Sequence, residues 1–241
     1  MTVNPGTLFA NGQVSTTVII SNIKSGGVLV PNGTLIAVTA QPAFNPNSVG
    51  GTISGSNATA GADPRFLVFP TFGGQVTVSY TPPDLTGKGA GNVGTGIIQA
   101  ASVDLDSRPV NQIGSGSVFL LGIASATLTA SPATLIANGT NTSILTVTVK
   151  DSQGNLVPDG TRVSLTAAPI FSPSSAGGTI LGGTTSGADG RVTIFTIAGG
   201  QVAATYQSSS APGTAVIQAM TIDADGRPTA LVGTTSITLT P

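Results

Sequence analysis

An alternation of apolar and polar residues in the second half of the chain restricts its fold more than any other feature. Leu145, Val147 and Val149 alternate with threonines and a lysine, which is the period of a strand with one buried face. Turn-forming residues fill 150–155, and a Pro-Asp-Gly corner follows at 158–160. This order predicts a strand, a polar turn and a second strand.

The second strand is predicted to continue the alternation after the corner. Val163 and Leu165 are expected to face a core, while Arg162, Ser164 and Thr166 are expected to face solvent. Two such strands around a polar turn are typical of the centre of a β-sandwich.

The same pattern occurs twice in the chain. Ala10-Asn11-Gly12 recurs at 137–139, and the Pro-Asn-Gly-Thr of 31–34 recurs as Pro-Asp-Gly-Thr at 158–161, so both offsets are 127 (137 − 10 and 158 − 31). The offset is 126 between 61–63 and 187–189, and it falls to 119 between 98–100 and 217–219. The extra residues of the first copy lie at 82–91, PPDLTGKGAG, which has the composition of a loop.

These offsets predict two domains of one fold, with bounds at 1–122 and 123–241. Each copy contains about seven short apolar runs separated by turn residues, and no helical period is present. We therefore predict an all-β chain of two tandem immunoglobulin-like Greek-key β-sandwiches.

The side-chain inventory excludes most chemistry. Charged residues make up 7 % of the chain, the net charge is −1, and all nine acidic residues are aspartate. There is no Cys, His, Glu or Trp. This leaves no thiolate metal site and no ordinary general base, so we expect no enzyme. We also expect no nucleic-acid partner, since there is no basic patch, and no membrane insertion, since no long apolar run occurs.

An Asp-x-Asp motif is the one group of acids that the two copies share. Asp104 and Asp106 in the first copy correspond to Asp223 and Asp225 in the second. Converging carboxylates are Ca²⁺ ligands, although Ca²⁺ takes about 6–8 oxygens. The alternative is a turn in which the arginine two residues after the second aspartate neutralises the acids. We therefore expect the chain to need no cofactor. If an ion binds, Ca²⁺ is the candidate, and these four aspartates are its candidate ligands.

Aromatic residues supply the candidate partner-binding positions. Phe66 and Phe72 of the first copy have no aromatic counterpart in the second, so we consider them candidates for an exposed contact patch. Phe69 matches Phe195, and Tyr80 matches Tyr206. These matched positions are expected to belong to the core, with the tyrosine hydroxyls at its polar edge.

The second copy resembles a known family of bacterial domains. Residues 134–166, TLIANGTNTSILTVTVKDSQGNLVPDGTRVSLT, together with the Thr-Ser-Gly-Ala-Asp-Gly-Arg-Val of 185–192, are similar to the bacterial immunoglobulin-like repeat of invasin and intimin-type proteins. The first copy departs from the pattern at 21–27 and at Asp63-Pro64. The resemblance implies tandem spacer or adhesive modules outside cells, and it implies no catalytic residues.

These observations predict a non-enzymatic structural or attachment protein on an external surface. Two settings are open: a phage virion decoration or fibre component, and a two-repeat segment of a bacterial surface adhesin array. The N-terminus carries no secretory signal, so we expect a segment of a longer exported protein or release by another route, such as phage lysis.

The expected partner is a protein or a second copy of the chain. Met1 aligns with Leu128, so the opening strand of the first copy is shorter than that of the second and is a candidate edge for strand addition. An alternative function is a carbohydrate- or receptor-binding module that uses end loops, with 82–91 as the candidate loop.

Overall fold

The computed structural model describes residues 1–88, 91–168, 171–185 and 190–241. They divide into two units, the first made of 1–83 and 94–121 and the second of 84–93 and 122–241. The described loop residues 84–88 and 91–93 thus belong to the second unit, although the sequence predicts them in the first domain. The reason is local packing: Leu85 and Thr86 are buried, and Gly87 lies against the backbone of Ile222 and Asp223.

The first unit is built from twelve strands. The first two residues of the strand β11 belong to the second unit. Their bounds are β1 Thr2–Asn4, β2 Thr7–Phe9, β3 Thr16–Ile20, β4 Lys24–Ser25, β5 Val28–Leu29, β6 Leu35–Thr39, β7 Thr52–Ser54, β8 Thr59–Ala60, β9 Leu67–Pro70, β10 Val76–Thr81, β11 Asn92–Val103 and β12 Pro109–Leu121. One sheet has the order β1-β3-β10-β7 and the other β2-β12-β11-β6-β9-β8.

The second unit repeats this arrangement with ten strands. Their bounds are β13 Ile123–Ser131, β14 Thr134–Ile136, β15 Thr142–Asp151, β16 Arg162–Thr166, β17 Gly178–Leu181, β18 Thr184–Thr185, β19 Thr193–Thr196, β20 Gln201–Ser208, β21 Gly213–Ile222 and β22 Pro228–Thr240. Its sheets have the orders β13-β15-β20-β17 and β14-β22-β21-β16-β19-β18, which match the first unit strand for strand. A 3₁₀ turn at Thr86–Lys88 also belongs to this unit.

The opening strand of each unit is divided between the two sheets. β1 pairs antiparallel with β3, whereas β2 pairs parallel with β12 in the other sheet, and β13 and β14 repeat this division. The break falls at Pro5 and Pro132, where the preceding peptide bonds are cis. Because the chain passes repeatedly between two mainly antiparallel sheets, each unit is an immunoglobulin-like Greek-key sandwich, and the predicted fold is confirmed.

The alternation of apolar and polar residues at 145–149 specifies the core of the second unit. Leu145, Val147 and Val149 of β15 are fully buried, as are Val163 and Leu165 of β16. These side chains lie between the two sheets, and removing such area from water contributes roughly 25 cal/mol per Å².

The predicted exposure of Ser164 and Thr166 is wrong, because both side chains are buried. The Ser164 hydroxyl donates to the Met220 carbonyl oxygen at 3.2 Å, and that of Thr166 donates to the Arg191 carbonyl oxygen at 2.7 Å. β16 is thus buried on both faces. The same holds for β6, where Ala37 packs in a cluster with Phe66, Val68 and Ala101 outside the space between the sheets.

Candidate functional site

The Asp-x-Asp motif of each unit forms the tip of a hairpin. In the first unit, one carboxylate oxygen of Asp104 accepts backbone N–H groups from Asp106 and Arg108, each at 2.9 Å. Asp106 and Arg108 approach to 3.9 Å on the exposed surface. The carboxylate of Asp104 thus binds its own loop, as Asx turns do.

The second unit repeats this tip. Asp223 accepts the backbone N–H of Arg227 at 2.8 Å, and the Arg227 guanidinium lies 3.4 Å from Asp225. In the part of the chain that the structure describes, no group of three or more His, Cys, Asp or Glu side chains is placed to hold a metal. The turn chemistry predicted for the motif agrees with these contacts. Ca²⁺ binding by Asp104, Asp106, Asp223 and Asp225 stays a prediction.

Phe66 is buried, so the expectation that it contributes to an exposed patch is wrong. Its side chain is 4 % exposed and meets Phe44 edge to face, with ring centroids 4.5 Å apart. Arg65 covers the other side of this pair, with its guanidinium 4.6 Å from the Phe44 centroid. Phe66 therefore belongs to the layer outside β6.

A bidentate ion pair holds Arg65 in this position. Its guanidinium nitrogens lie 2.8 and 2.5 Å from the two oxygens of Asp63. The side-chain hydrogen bond from Arg65 is the main cause that lowers the pKa of the Asp63 carboxyl. The corresponding 187–189 of the second copy lies outside the described residues.

Phe72, in contrast, is 80 % exposed at the tip of a tight turn. Phe72 and Gln75 exchange backbone hydrogen bonds at 2.9 and 3.1 Å around Gly73 and Gly74. The amide oxygen of Asn32 accepts the Gly73 N–H at 2.7 Å, which ties the turn to the neighbouring loop. The exposure predicted for Phe72 is confirmed, while its role as a contact stays a prediction.

A hairpin that the sequence did not predict lies against this turn. β4 and β5 pair around Gly26 and Gly27, which have φ values of 58° and 84°, as a two-residue type I′ turn requires. The hairpin presents Val28 and Leu29, which are 71 % and 49 % exposed. The sequence contains a signal for this hairpin, because a Gly-Gly pair between two short strand-like segments is typical of β-hairpins.

The hairpin and the turn meet at Leu29 and Gly74. A Cβ added to Gly74 would lie 2.8 Å from the Leu29 side chain, and the Ile23 N–H donates to the Gly74 carbonyl oxygen at 3.0 Å. Val28, Leu29 and Phe72 therefore occur on two adjoining loops, and we call these three residues the apolar end surface.

The second unit has the same framework with a more polar surface. Leu156 takes the position of Leu29 and packs on Gly200, and Asp159 accepts the Gly199 N–H at 2.6 Å, as Asn32 does in the first unit. However, Ala198 replaces Phe72 and Asn155 replaces Val28. The apolar end surface is therefore particular to the first unit.

The loop at 82–91 was the candidate site for a carbohydrate. Its described residues are 82–88 and 91, and Leu85 and Thr86 among them are buried within the second unit. Asp84 accepts both the backbone N–H of Thr86, at 3.1 Å, and its hydroxyl, at 2.6 Å. Residues 84–88 of the loop are therefore folded onto the second unit.

Neither a comparison with family models nor one with curated protein sequences finds a match. Among solved structures, invasin, a bacterial integrin-binding protein, is 18 % identical with a TM-score of 0.43, and the match covers 99 % of this chain and 38 % of that one. The adhesin InvE of Yersinia pseudotuberculosis is 18 % identical with a TM-score of 0.43, and the match covers 99 % of this chain and 58 % of InvE. The D0–D1 domain of intimin is 16 % identical with a TM-score of 0.32, and the match covers 99 % of this chain and 96 % of the intimin chain.

This chain thus spans less than two thirds of invasin and of InvE. Invasin and intimin are the proteins whose repeats the sequence resembles. The immunoglobulin-like fold of each unit rests on its own strand order and register, which are given above.

Proposed function

We propose that this chain is a non-enzymatic attachment module on an external surface, and that its apolar end surface contacts a protein partner. The observation that carries the proposal is the exposure of Phe72, Val28 and Leu29 on loops held by hydrogen bonds. Exposed aromatic and aliphatic side chains on an ordered framework are typical of protein contacts, because their burial on binding releases water at low cost in side-chain entropy.

The chemistry of the chain supports a binding role over a catalytic one. The chain has no His, Cys or Glu. Among its aspartates, Asp63 is paired with Arg65, and Asp104 and Asp223 accept backbone hydrogen bonds of their own turns. Tyr80 and Tyr206 are fully buried, so neither reaches a substrate. The imidazole and thiol groups that most often serve in acid–base and nucleophilic catalysis do not occur in the sequence.

The proposed setting is the outside of a cell or of a virion. Few charged residues and a surface rich in Ser, Thr and Asn are common on exterior proteins, and the sequence resemblance to invasin and intimin-type repeats supports the same location. Immunogold labelling with an antibody to this chain, on producing cells and on phage particles released from them, decides between the two versions. Label confined to the cell interior would contradict both.

Attachment is tested with beads that carry the purified chain and are offered to candidate host cells. We expect saturable binding that is lost after protease treatment of the cells and kept after glycosidase treatment, because the end surface suits a protein partner. Loss after glycosidase alone would favour the carbohydrate alternative. Binding equal to that of beads coated with a heat-denatured chain would contradict an attachment role.

A further inference from the structure

A cavity of about 250 Å³ lies beside the layer of side chains outside β6 of the first sandwich. The residues that line it include Phe44, Phe66, Ala101 and Val110, and none of its described lining residues is charged. Sites for drug-sized molecules usually enclose about 300–1,000 Å³. The cavity is smaller than that and mostly apolar, so it suits a single apolar side chain.

The second sandwich carries a long side chain where this cavity begins. Ala101 pairs with Ala37 of β6, and Met220 pairs with Ser164 of β16, so Met220 projects from the sheet position that Ala101 takes (101 + 119 = 220; 37 + 127 = 164). Met220 is buried. Phe66 is bulkier than its valine counterpart and takes up part of the corresponding space in the first sandwich. The cavity is the space that remains beside it.

An exposed leucine stands at the hairpin tip next to the cavity. Leu105 lies in the turn between β11 and β12 and is fully exposed. The backbone hydrogen bonds that Asp104 accepts hold this turn, and Pro109 at its end lines the cavity. The counterpart of Leu105 is Ala224 (105 + 119 = 224). The first unit thus has an exposed leucine beside a cavity, where the second unit has an alanine and a methionine.

The charges of this tip do not oppose the approach of a second tip. Asp106 and Arg108 are both exposed, and their charged groups lie 3.9 Å apart. Together they leave the tip without net charge. Two tips that meet about a two-fold axis can also pair the acid of each copy with the base of the other, which favours one register of the contact.

We propose that two copies of this chain associate through this surface, with Leu105 of each copy inserted into the cavity of the other. The leucine and the cavity adjoin on one surface, so a single two-fold axis completes both insertions and the assembly closes as a dimer. One leucine and the rim around it form a small contact, so the dimer is weak and transient. The contact goes beyond the proposed attachment and is separate from the apolar end surface, because Phe72 does not line the cavity.

Sedimentation velocity of the whole chain, from about 10 to 500 µM, tests the proposal. We expect the sedimentation coefficient to rise from that of a monomer towards that of a dimer, with a Kd of about 100 µM. Leu105→Ser removes the inserted side chain, and Ala101→Met fills the cavity with the residue of the second unit. Each should weaken the association about tenfold or more. Ala224→Ser, the matched change at the tip of the second unit, should leave it unchanged.

A further variant and thermal unfolding separate loss of the contact from loss of the fold. Leu105 is fully exposed and Val110 is 59 % exposed, so Leu105→Ser and Val110→Lys should both leave thermal unfolding unchanged. Val110→Lys should nevertheless weaken the association, because it places a charge at the rim of an apolar cavity. This variant replaces Ala101→Met if the larger side chain lowers the unfolding temperature.

NMR locates the contact within the chain. Amide chemical shifts that change with protein concentration should lie within 99–112, while those of the matched segment 218–231 should stay constant. The proposal is overturned if the chain remains a monomer at about 500 µM. It is equally overturned if Leu105→Ser associates as strongly as the unaltered chain, since any dimer would then form through another surface.

Discussion

The hydroxyl of Tyr80 donates a hydrogen bond to the carbonyl oxygen of Gly50 at 2.7 Å, within the core of the first sandwich. Tyr206 makes the same bond to Gly177 at 2.7 Å in the second. Both tyrosines are fully buried, so the bond to this carbonyl oxygen offsets the loss of water at each hydroxyl.

The ionisation of Tyr80 should make the first sandwich sensitive to alkali. Burial raises the pKa of Tyr80 to about 12 from an ordinary value near 10. The neutral form is favoured in the folded state, so the stabilisation is complete below about pH 10 and is lost as the pH rises towards 12. Denaturant titrations at intervals across this window, with Tyr80→Phe as control, should show a fall in stability that is smaller in the variant. If the unfolding free energy falls with pH equally steeply in Tyr80→Phe, the loss of stability comes from titrating groups other than Tyr80.

The glycines beside these tyrosines should not tolerate a side chain. Gly51 and Gly178 have φ values of 142° and 136°, and a Cβ at either would overlap the ring of Tyr80 or Tyr206. We expect Gly51→Ala and Gly178→Ala each to lower the free energy of unfolding by about 2 kcal/mol or more, through strain and overpacking. Urea titrations measure this.

Gly6→Ala and Gly190→Ala are the matched controls for these glycines. Neither position has a left-handed φ, and no atom of the described residues lies within 4 Å of the added Cβ. The urea midpoints of these two control variants should change little. A comparable loss of unfolding free energy in the controls would show that the close approach to tyrosine does not cause the loss in Gly51→Ala and Gly178→Ala.

The strand pattern of the second copy was predictable where burial follows the period of two. Val147 and Leu165 were assigned to the core from alternation alone, and both are fully buried. Ser164 and Thr166 were misassigned, because a period of two identifies only one buried face and gives no sign of a further layer over the other. Their hydroxyls satisfy carbonyl oxygens of neighbouring strands, which makes small polar residues compatible with that burial.

The candidate site was predictable only in part, for a similar reason. Phe66 and Phe72 are equivalent in sequence as unmatched aromatics, yet Phe44 packs against Phe66, whereas Phe72 is 80 % exposed. Contacts between residues so far apart along the chain are set by tertiary structure. Val28 and Leu29 are not predicted from the sequence, because the first copy departs from the family pattern at 21–27.

A charge in the core of the second sandwich should unfold that unit. Leu165→Asp places a carboxylate at a fully buried position without a partner, and we expect a loss above about 4 kcal/mol. Differential scanning calorimetry should then show the transition of the first unit alone. Ser210→Asp, at an exposed position of the same unit, is the control and should keep both transitions.

Removal of metal ions should leave the thermal stability of the chain unchanged if the Asp-x-Asp motif stabilises the hairpin tip through its hydrogen bonds. Asp104 already accepts two backbone N–H groups, so we expect no shift in unfolding temperature with EDTA or with millimolar Ca²⁺. Asp104→Ala should cost about 1 kcal/mol by removing the acceptor, while Asp104→Asn should cost less. A rise in unfolding temperature with Ca²⁺ that Asp104→Asn abolishes would instead establish an ion site.

A single substitution tests whether the chain attaches through its apolar end surface. In the bead attachment assay, Phe72→Ser is compared with Ala198→Ser, which changes the corresponding turn of the second unit. Phe72 is 80 % exposed, so its loss should not alter thermal unfolding. We predict that Phe72→Ser lowers the affinity for target cells by about 30-fold, as expected for a central contact residue, while Ala198→Ser leaves it unchanged. Equal attachment by the unaltered chain and Phe72→Ser would contradict the claim.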